Sequence, residues 1–239
     1  MGKISLLTKE QKTILAGIAE DKYFTDNFYF TGGSALSEFY LKHRISDDLD
    51  FFSEKKFDTQ TVLTKITSFS QKYGFRFTPR LVEVVYRFEI VFPKGTRFMV
   101  DFGFYPFKRL EKGKKFQNLE IDSLKDIAAN KLLTINQRGD VKDFVDLYFL
   151  LKEKYTIWDL IYATEKKFKR LDFDILLLAQ DFLKVEDFEF LPRMVKPLSS
   201  EELKIFFRKL AKKVGMRAVV KYWKYAAKNS YRRNFRKNW

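Results

Sequence analysis

One stretch, TGGSALSEFYLKHRISDDLDFF at residues 31–52, constrains this chain more than any other. Strand-forming residues Phe28 to Phe30 meet a glycine pair, a helical segment follows over Ala35 to Lys42, and Asp48 to Ser53 reads as a second strand. Side chains alternate along a strand, so Asp48 and Asp50 share one face while Leu49 and Phe51 take the other. Two carboxylates that share a partly desolvated site raise each other's pKa, and both ionise most readily around a cation. Capping or an exposed strand edge would account for either aspartate alone. The glycines upstream change the reading, because a turn of small residues opening a helix presents backbone N–H groups that favour phosphate. Gly32, Gly33 and Ser34 stand at that junction. They lack the spacing of a P-loop or of a dinucleotide fingerprint, which disfavours those two mechanisms.

The chemistry available elsewhere is limited. With no cysteine and one histidine, thiolate metal sites, a cysteine nucleophile, a His-rich zinc site and a Ser-His-Asp triad are all disfavoured, and a reducing, cytoplasmic setting is expected. His43 lies beside Arg44, and we expect it to be solvated. The acidic pair then implies an all-oxygen site suited to Mg²⁺ or Mn²⁺. No signal-peptide core or bilayer-length apolar run is present, so no membrane partner is expected.

Charge is distributed unevenly. Thirteen of the 46 Lys and Arg follow Glu202, the last acidic residue, so nearly all of the net charge of +15 sits in the tail. Arg217, Lys221, Lys224 and Lys228 recur at helical spacing, and Arg232, Arg233, Arg236 and Lys237 interleave with Tyr231, Phe235 and Trp239. Such a pattern suits a nucleic-acid backbone with aromatics stacked on unpaired bases; a solvated helix is the competing explanation.

The remaining periodicity divides the chain. Thr8 and Gln11 form a capping-box pattern for a first helix ending near Asp21, Asp58 caps another, and FRFTPRLVEVVYRFEIVFPKGTRFMVDFGF reads as successive strands with a PKGT hairpin loop. Beyond residue 120 the period becomes helical, with segments expected at Ser123 to Asn136, Val141 to Lys154, Thr156 to Arg170, Asp174 to Leu183, Ser200 to Lys213 and Met216 to Lys228. An α+β class follows, with a sheet-bearing domain over 1–115 and a helical domain with a basic tail over 116–239.

These residues resemble a known family. Gly-Gly/Ser, an interval and Asp-x-Asp is the pattern of nucleotidyltransferases of the DNA polymerase β type. The fuller set of Gly32, Gly33, Ser34, Arg44, Ser46, Asp48, Asp50, Phe51 and Phe52 is similar to the AbiEii-type toxin branch. A second match, NKLLTINQRGDVKDFVDLYFLL, supplies Lys131, Arg138, Lys142, Asp143 and Asp146. The resemblance spans about residues 28–152.

It implies a nucleotidyltransferase-like mixed sheet with flanking helices, and transfer of a nucleoside monophosphate from an NTP. The acceptor would be RNA, at the 3′ end of tRNA, and the protein the toxin of a toxin–antitoxin pair with a cognate antitoxin as partner. Asp48 and Asp50 would bind metal, joined by Asp101 from a later strand, for which an ion pair with Arg97 is the competing role. Lys131 would reach the triphosphate and Asp143 would orient it. Gly32, Gly33, Ser34, Arg44, Ser46, Arg138 and Lys142 would bind nucleotide, and Asp146 would be structural. A small-molecule or protein acceptor, or an inactive site on an RNA-binding module, are the alternatives.

Overall fold

In the computed structural model, residues 5–235 are described apart from 170 and 172, with side chains through residue 219. The chain starts with two helices, α1 (Lys9–Glu20) and α2 (Lys22–Asn27). Thr8 and Gln11 close the expected capping box on α1, and Asp21 ends that helix while its carboxylate caps α2. Strand β1 (Tyr29–Thr31) runs directly into α3 (Gly32–Leu36), which loosens into a π-turn over Ser37–Leu41. The glycine pair is therefore the first turn of the helix rather than a loop ahead of it. Next come β2 (Leu49–Ser53), α4 (Thr59–Tyr73) capped by Asp58, and three antiparallel-linked strands, β3 (Arg76–Val82), β4 (Val85–Val91) and β5 (Arg97–Phe104). A short hairpin, β6 (Lys115–Phe116) and β7 (Leu119–Ile121), completes the sheet.

The seven strands lie in the order β3-β4-β5-β2-β1-β7-β6. The sheet is mixed: β2 runs parallel to β5 and β1 parallel to β7, and the other neighbours are antiparallel. Burial alternates along β2 as the sequence requires, with Leu49 and Phe51 fully buried and Asp50 on the opposite face. Phe51 stacks on Phe102 at 5.3 Å, Phe102 on Phe24 of α2 at 5.1 Å, and Phe24 meets Phe69 of α4 at 5.9 Å. That face is thus sealed by α1, α2 and α4, and each buried phenylalanine contributes about 1.5–3 kcal/mol of burial. The opposite face stays free for chemistry.

Helices α5 (Leu124–Gln137), α6 (Val141–Glu153), α7 (Ile157–Lys167) and α8 (Ile175–Asp181) follow, then a 3₁₀ turn (Phe182–Asp187) and α9 (Ser200–Phe235). Helix α9 is continuous where two helices were expected. Gly215 is tolerated inside it because Leu210, Ala211 and Val214 are already anchored in the core, which outweighs the cost of about 1 kcal/mol for a mid-helix glycine. One apolar cluster, from Leu7 through Val214, joins the sheet to these helices. Among the described residues no helix is long and apolar enough to cross a membrane.

Candidate active site

The register of β1 against β2 builds the site. Thr31 lies opposite Asp50, so the next residue, Gly32, is pressed against that carboxylate. Gly32 has φ +73°, and a Cβ there would lie 2.0 Å from Asp50 Oδ2. At Gly33 a Cβ would sit 2.4 Å from Arg44 Nη2 and 3.0 Å from Ser46 Oγ. Both glycines therefore provide room for side chains implicated in the site. Ser34 has a different place: it is buried, and its hydroxyl donates to the Asp48 carbonyl, tying the chain ahead of β2 to α3.

Strand pairing then sets one row across the sheet. Arg87 of β4 lies opposite Asp101 of β5, Asp101 beside Asp50 of β2, and Asp50 opposite Thr31. Asp48 enters one residue before β2 on the same face. Burial, then Asp101 and Asp48, push the Asp50 carboxyl up to about 7. Asp48 is also raised, chiefly by burial, with Lys142 opposing and Asp101 adding to it. Neither carboxylate has a hydrogen-bond or ion-pair partner among the described residues.

Asp101 does have one. Arg87 holds it in a fork, Nε to Oδ1 at 2.9 Å and Nη2 to Oδ2 at 2.6 Å. The competing partner considered from the sequence, Arg97, instead pairs with Glu89 at 3.1 Å. With Asp101 so engaged, no three acidic or histidine side chains among the described residues form a ready metal-binding group. The donors nonetheless fit a hard cation, since burial and mutual repulsion disfavour ionisation of two carboxylates that have no partner among the described residues, and a divalent ion would hold both ionised.

The far wall comes from α5 and α6, and its organising group is Asp146. This fully buried carboxylate accepts from Arg44 Nε at 2.6 Å, Arg44 Nη2 at 2.9 Å and His43 Nε2 at 2.7 Å, and it pairs with Lys131 Nζ at 2.7 Å. Burial alone would raise its pKa, but Lys131 and Arg44 hold it well below the usual carboxylate range. An ionised Asp146 can only accept, so His43 carries its proton on Nε2. His43 is fully buried, which corrects the expectation that it is solvated; burial lowers its pKa despite the aspartate. Lys131 also donates to Asp143 Oδ1 at 2.7 Å, and the two carboxylates outweigh burial to raise its pKa. Arg138 reaches the other oxygen of Asp143 at 3.1 Å while staying largely exposed. Lys142 is exposed, with its charge felt at Asp48.

A cleft of about 390 Å³ results. It is lined by Gly32, Gly33, Arg44, Ser46, Asp48, Asp50, Asp101, Lys131, Arg138, Lys142 and Asp143, which is every sequence-derived nucleotide- or metal-site residue except Ser34. Sequence reasoning missed Arg87, which also lines the cleft, and the role of Asp146 as the shared anchor of Arg44, His43 and Lys131. Of the basic tail, Arg217 is described, its guanidinium 4.3 Å over the Trp158 ring. Lys221, Lys224, Lys228, Arg232 and Arg233 fall on the backbone of α9 beyond the described side chains, and Arg236 and Lys237 lie outside the described residues.

Comparison with known proteins places the sequence and the fold. The family described as nucleotidyl transferase AbiEii toxin, type IV toxin–antitoxin system, matches residues 13–224. An uncharacterized protein of Aquifex aeolicus (strain VF5) is 34% identical over 177 residues, covering 72% of this chain and 80% of that one. Among solved structures, JHP933 from Helicobacter pylori superposes with a TM-score of 0.52 at 18% identity, covering 93% of this chain and 99% of that one. MenT4, a nucleotidyltransferase toxin from Mycobacterium tuberculosis H37Rv, gives 0.53 at 14% identity, with coverage of 85% and 86%. At these identities the two structures establish a shared fold.

Proposed function

The chain belongs to the AbiEii nucleotidyl transferase toxin family, and we propose that its cleft moves a nucleoside monophosphate from an NTP to an RNA acceptor, the 3′ end of tRNA. One observation carries this reading: the Asp48 and Asp50 carboxylates, without partners among the described residues, face a wall bearing Lys131, Arg138 and Lys142 across a single cleft. An NTP fits between them with its phosphates toward the cations. Gly32 lets Asp50, and Gly33 lets Arg44 and Ser46, pack against the first turn of α3, at the edge of the space the phosphates would enter. Asp48 and Asp50 would hold a divalent cation, Mg²⁺ or Mn²⁺, whose charge favours ionisation of the attacking hydroxyl and departure of pyrophosphate. The acceptor oxygen bonds to the α-phosphorus, the bond from the α-phosphorus to its bridging oxygen breaks, pyrophosphate leaves, and the hydroxyl proton passes to the carboxylate row.

Within this scheme Asp143 and Asp146 fix Lys131, and Asp146 fixes Arg44 beneath Gly33. Residues 1–115 supply the carboxylates and residues 116–239 the cationic wall and the basic tail that grips RNA. The protein acts in the cytoplasm, where NTP and tRNA are found, and a cognate antitoxin restrains it. The engagement of Asp101 by Arg87 favours a second reading, an RNA-binding module that does not transfer nucleotides.

The test uses purified protein, Mg²⁺ and each α-labelled NTP in turn, with tRNA, total RNA or no acceptor. Label that enters tRNA and disappears in Asp48→Ala is expected. RNA retained without label, unchanged by that substitution, would establish the second reading instead.

A further inference from the structure

The row of paired residues continues past Arg87 to the edge of the sheet. Arg80 of β3 lies directly opposite Arg87, so the full row reads Arg80, Arg87, Asp101, Asp50, Thr31 across five strands. Directly opposed residues of an antiparallel pair project from the same face, which places Arg80 on the cleft side. Strand β3 is an edge strand exposed along nearly its whole length. By alternation Arg76 shares the face of Arg80. Neither forms an ion pair among the described residues.

Two features of this arrangement call for explanation. Like charges directly opposite each other in a sheet are destabilising, and Asp101 neutralises only one of the two arginines. Arg87 is also 41% exposed while the carboxylate it holds is 8% exposed, so the guanidinium can swing outward and Asp101 cannot follow. An anion lying between Arg80 and Arg87 resolves both, because it neutralises the pair and competes with Asp101 for the Arg87 fork.

We propose that acceptor RNA reaches the cleft across the exposed face of β3 and β4, with Arg80 and Arg87 gripping the backbone phosphates that lead to its 3′ end. Arg87 releases Asp101 as it takes phosphate, so the third carboxylate joins Asp48 and Asp50 only when an acceptor is in place. Arg87 is thus a positioning residue that couples acceptor binding to completion of the carboxylate set. The proposal rests on the RNA-transfer reading above and deepens it. Charge decides for RNA over a protein partner: the track from edge to centre is arginine, arginine, then acid, which matches a phosphate chain ending in a hydroxyl.

The test uses the full-length protein without nucleotide and a short 5′-fluorescein single-stranded RNA with a free 3′ hydroxyl. Anisotropy titrations over a range of salt report RNA affinity, and electron paramagnetic resonance of free Mn²⁺ reports metal binding with and without the RNA. Arg80→Ala should weaken RNA binding about tenfold and make the salt dependence shallower by about 0.7, the increment for one phosphate contact on a single strand, while Arg80→Lys restores the slope. Arg87→Ala should weaken RNA binding similarly and, without RNA, bind Mn²⁺ about tenfold more tightly than the parent protein, which reaches that affinity only when RNA is added. Circular dichroism checks that the variants fold. A parent protein that binds RNA, with both variants unaltered in affinity, slope and Mn²⁺ binding, overturns the track and the coupling while leaving the transfer reading intact. A parent protein that binds no RNA removes both.

Discussion

Replacing Gly32 by alanine tests whether the glycine exists to seat Asp50. The substitution carries two separable costs. An alanine at φ +73° pays the left-handed backbone penalty, roughly 1–2 kcal/mol. In addition its Cβ would lie 2.0 Å from Asp50 Oδ2, where ordinary contact begins at 3.4 Å, so the carboxylate or the α3 backbone must move by about 1.4 Å. A misplacement of about 1 Å in a reacting constellation costs roughly 10²-fold in rate. Gly74, at the end of α4, is a matched control: its φ is +72° and a Cβ there meets nothing within 4 Å. Gly74→Ala should lower Tm by roughly 2–8 °C for a chain of this size and leave label incorporation unchanged. Gly32→Ala should lose about 10²-fold or more in incorporation with a fall in Tm at least as large. Nucleotide transfer by Gly32→Ala at the parental rate, or an equal loss of activity in Gly74→Ala, would show that Gly32 is not needed to seat Asp50.

Three further outcomes follow from charges and burial. Asp146→Asn leaves Arg44 buried against a neutral group and Lys131 with Asp143 as its remaining carboxylate, and breaking such a cluster costs roughly 3–5 kcal/mol; a loss under about 1 kcal/mol in chemical denaturation would count against Asp146 as their anchor. Burial raises Asp122 to about 7, so between pH 4 and 7 the folded state binds more protons than the unfolded and stability falls as pH rises through that window. Asp122→Asn, which can keep the contacts with Thr31 and the Ser123 N–H, should therefore be more stable than the parent at pH 8 but not at pH 5, measured in EDTA; parallel pH profiles would reject this. Truncation after Val219 removes Lys221, Lys224, Lys228, Arg232, Arg233, Arg236 and Lys237 yet keeps Leu203, Phe207, Leu210 and Val214 in the core. The shortened chain should fold and bind RNA with a shallower salt dependence, whereas truncation after Glu202 should not fold; an unchanged slope would exclude the tail.

Local physics made much of this molecule readable in advance. The capping box at Thr8, the caps at Asp58 and Ser123, the hairpin over PKGT and the shared face of Asp48 and Asp50 all depend on residues a few positions apart. What sequence spacing could not supply was register. That Asp50 lies beneath Gly32 depends on the antiparallel register of β1 and β2, that it lies beside Asp101 depends on a parallel pairing of strands some fifty residues apart, and the arginine that holds Asp101 depends on the β4–β5 register. Arg97 and Arg87 are equally plausible partners from spacing alone; which one faces Asp101 is decided by a pairing that places Arg97 opposite Val91 and Arg87 opposite Asp101.

His43 shows how a local inference goes astray and what would have repaired it. A neighbouring arginine suggested a solvated surface, yet both side chains are buried by a carboxylate 102 and 103 positions away. The clue lay in α6, where Asp143 and Asp146 stand one turn apart inside the apolar run VKDFVDLYFLL. Acids embedded in such a run are tolerated only if cations are brought to them, since an unpaired buried carboxylate costs several kcal/mol. The same motifs that supply the acids also supply Arg44, Lys131 and Arg138, so the condition of neutrality pairs the first motif with the second before any fold is known. Applied consistently, that condition places Arg44 inward and takes His43 with it, and it leaves Asp48 and Asp50 as the two site acids without an ion-pair partner among the described residues, which is where the proposed substrate and its metal would supply the compensating charge.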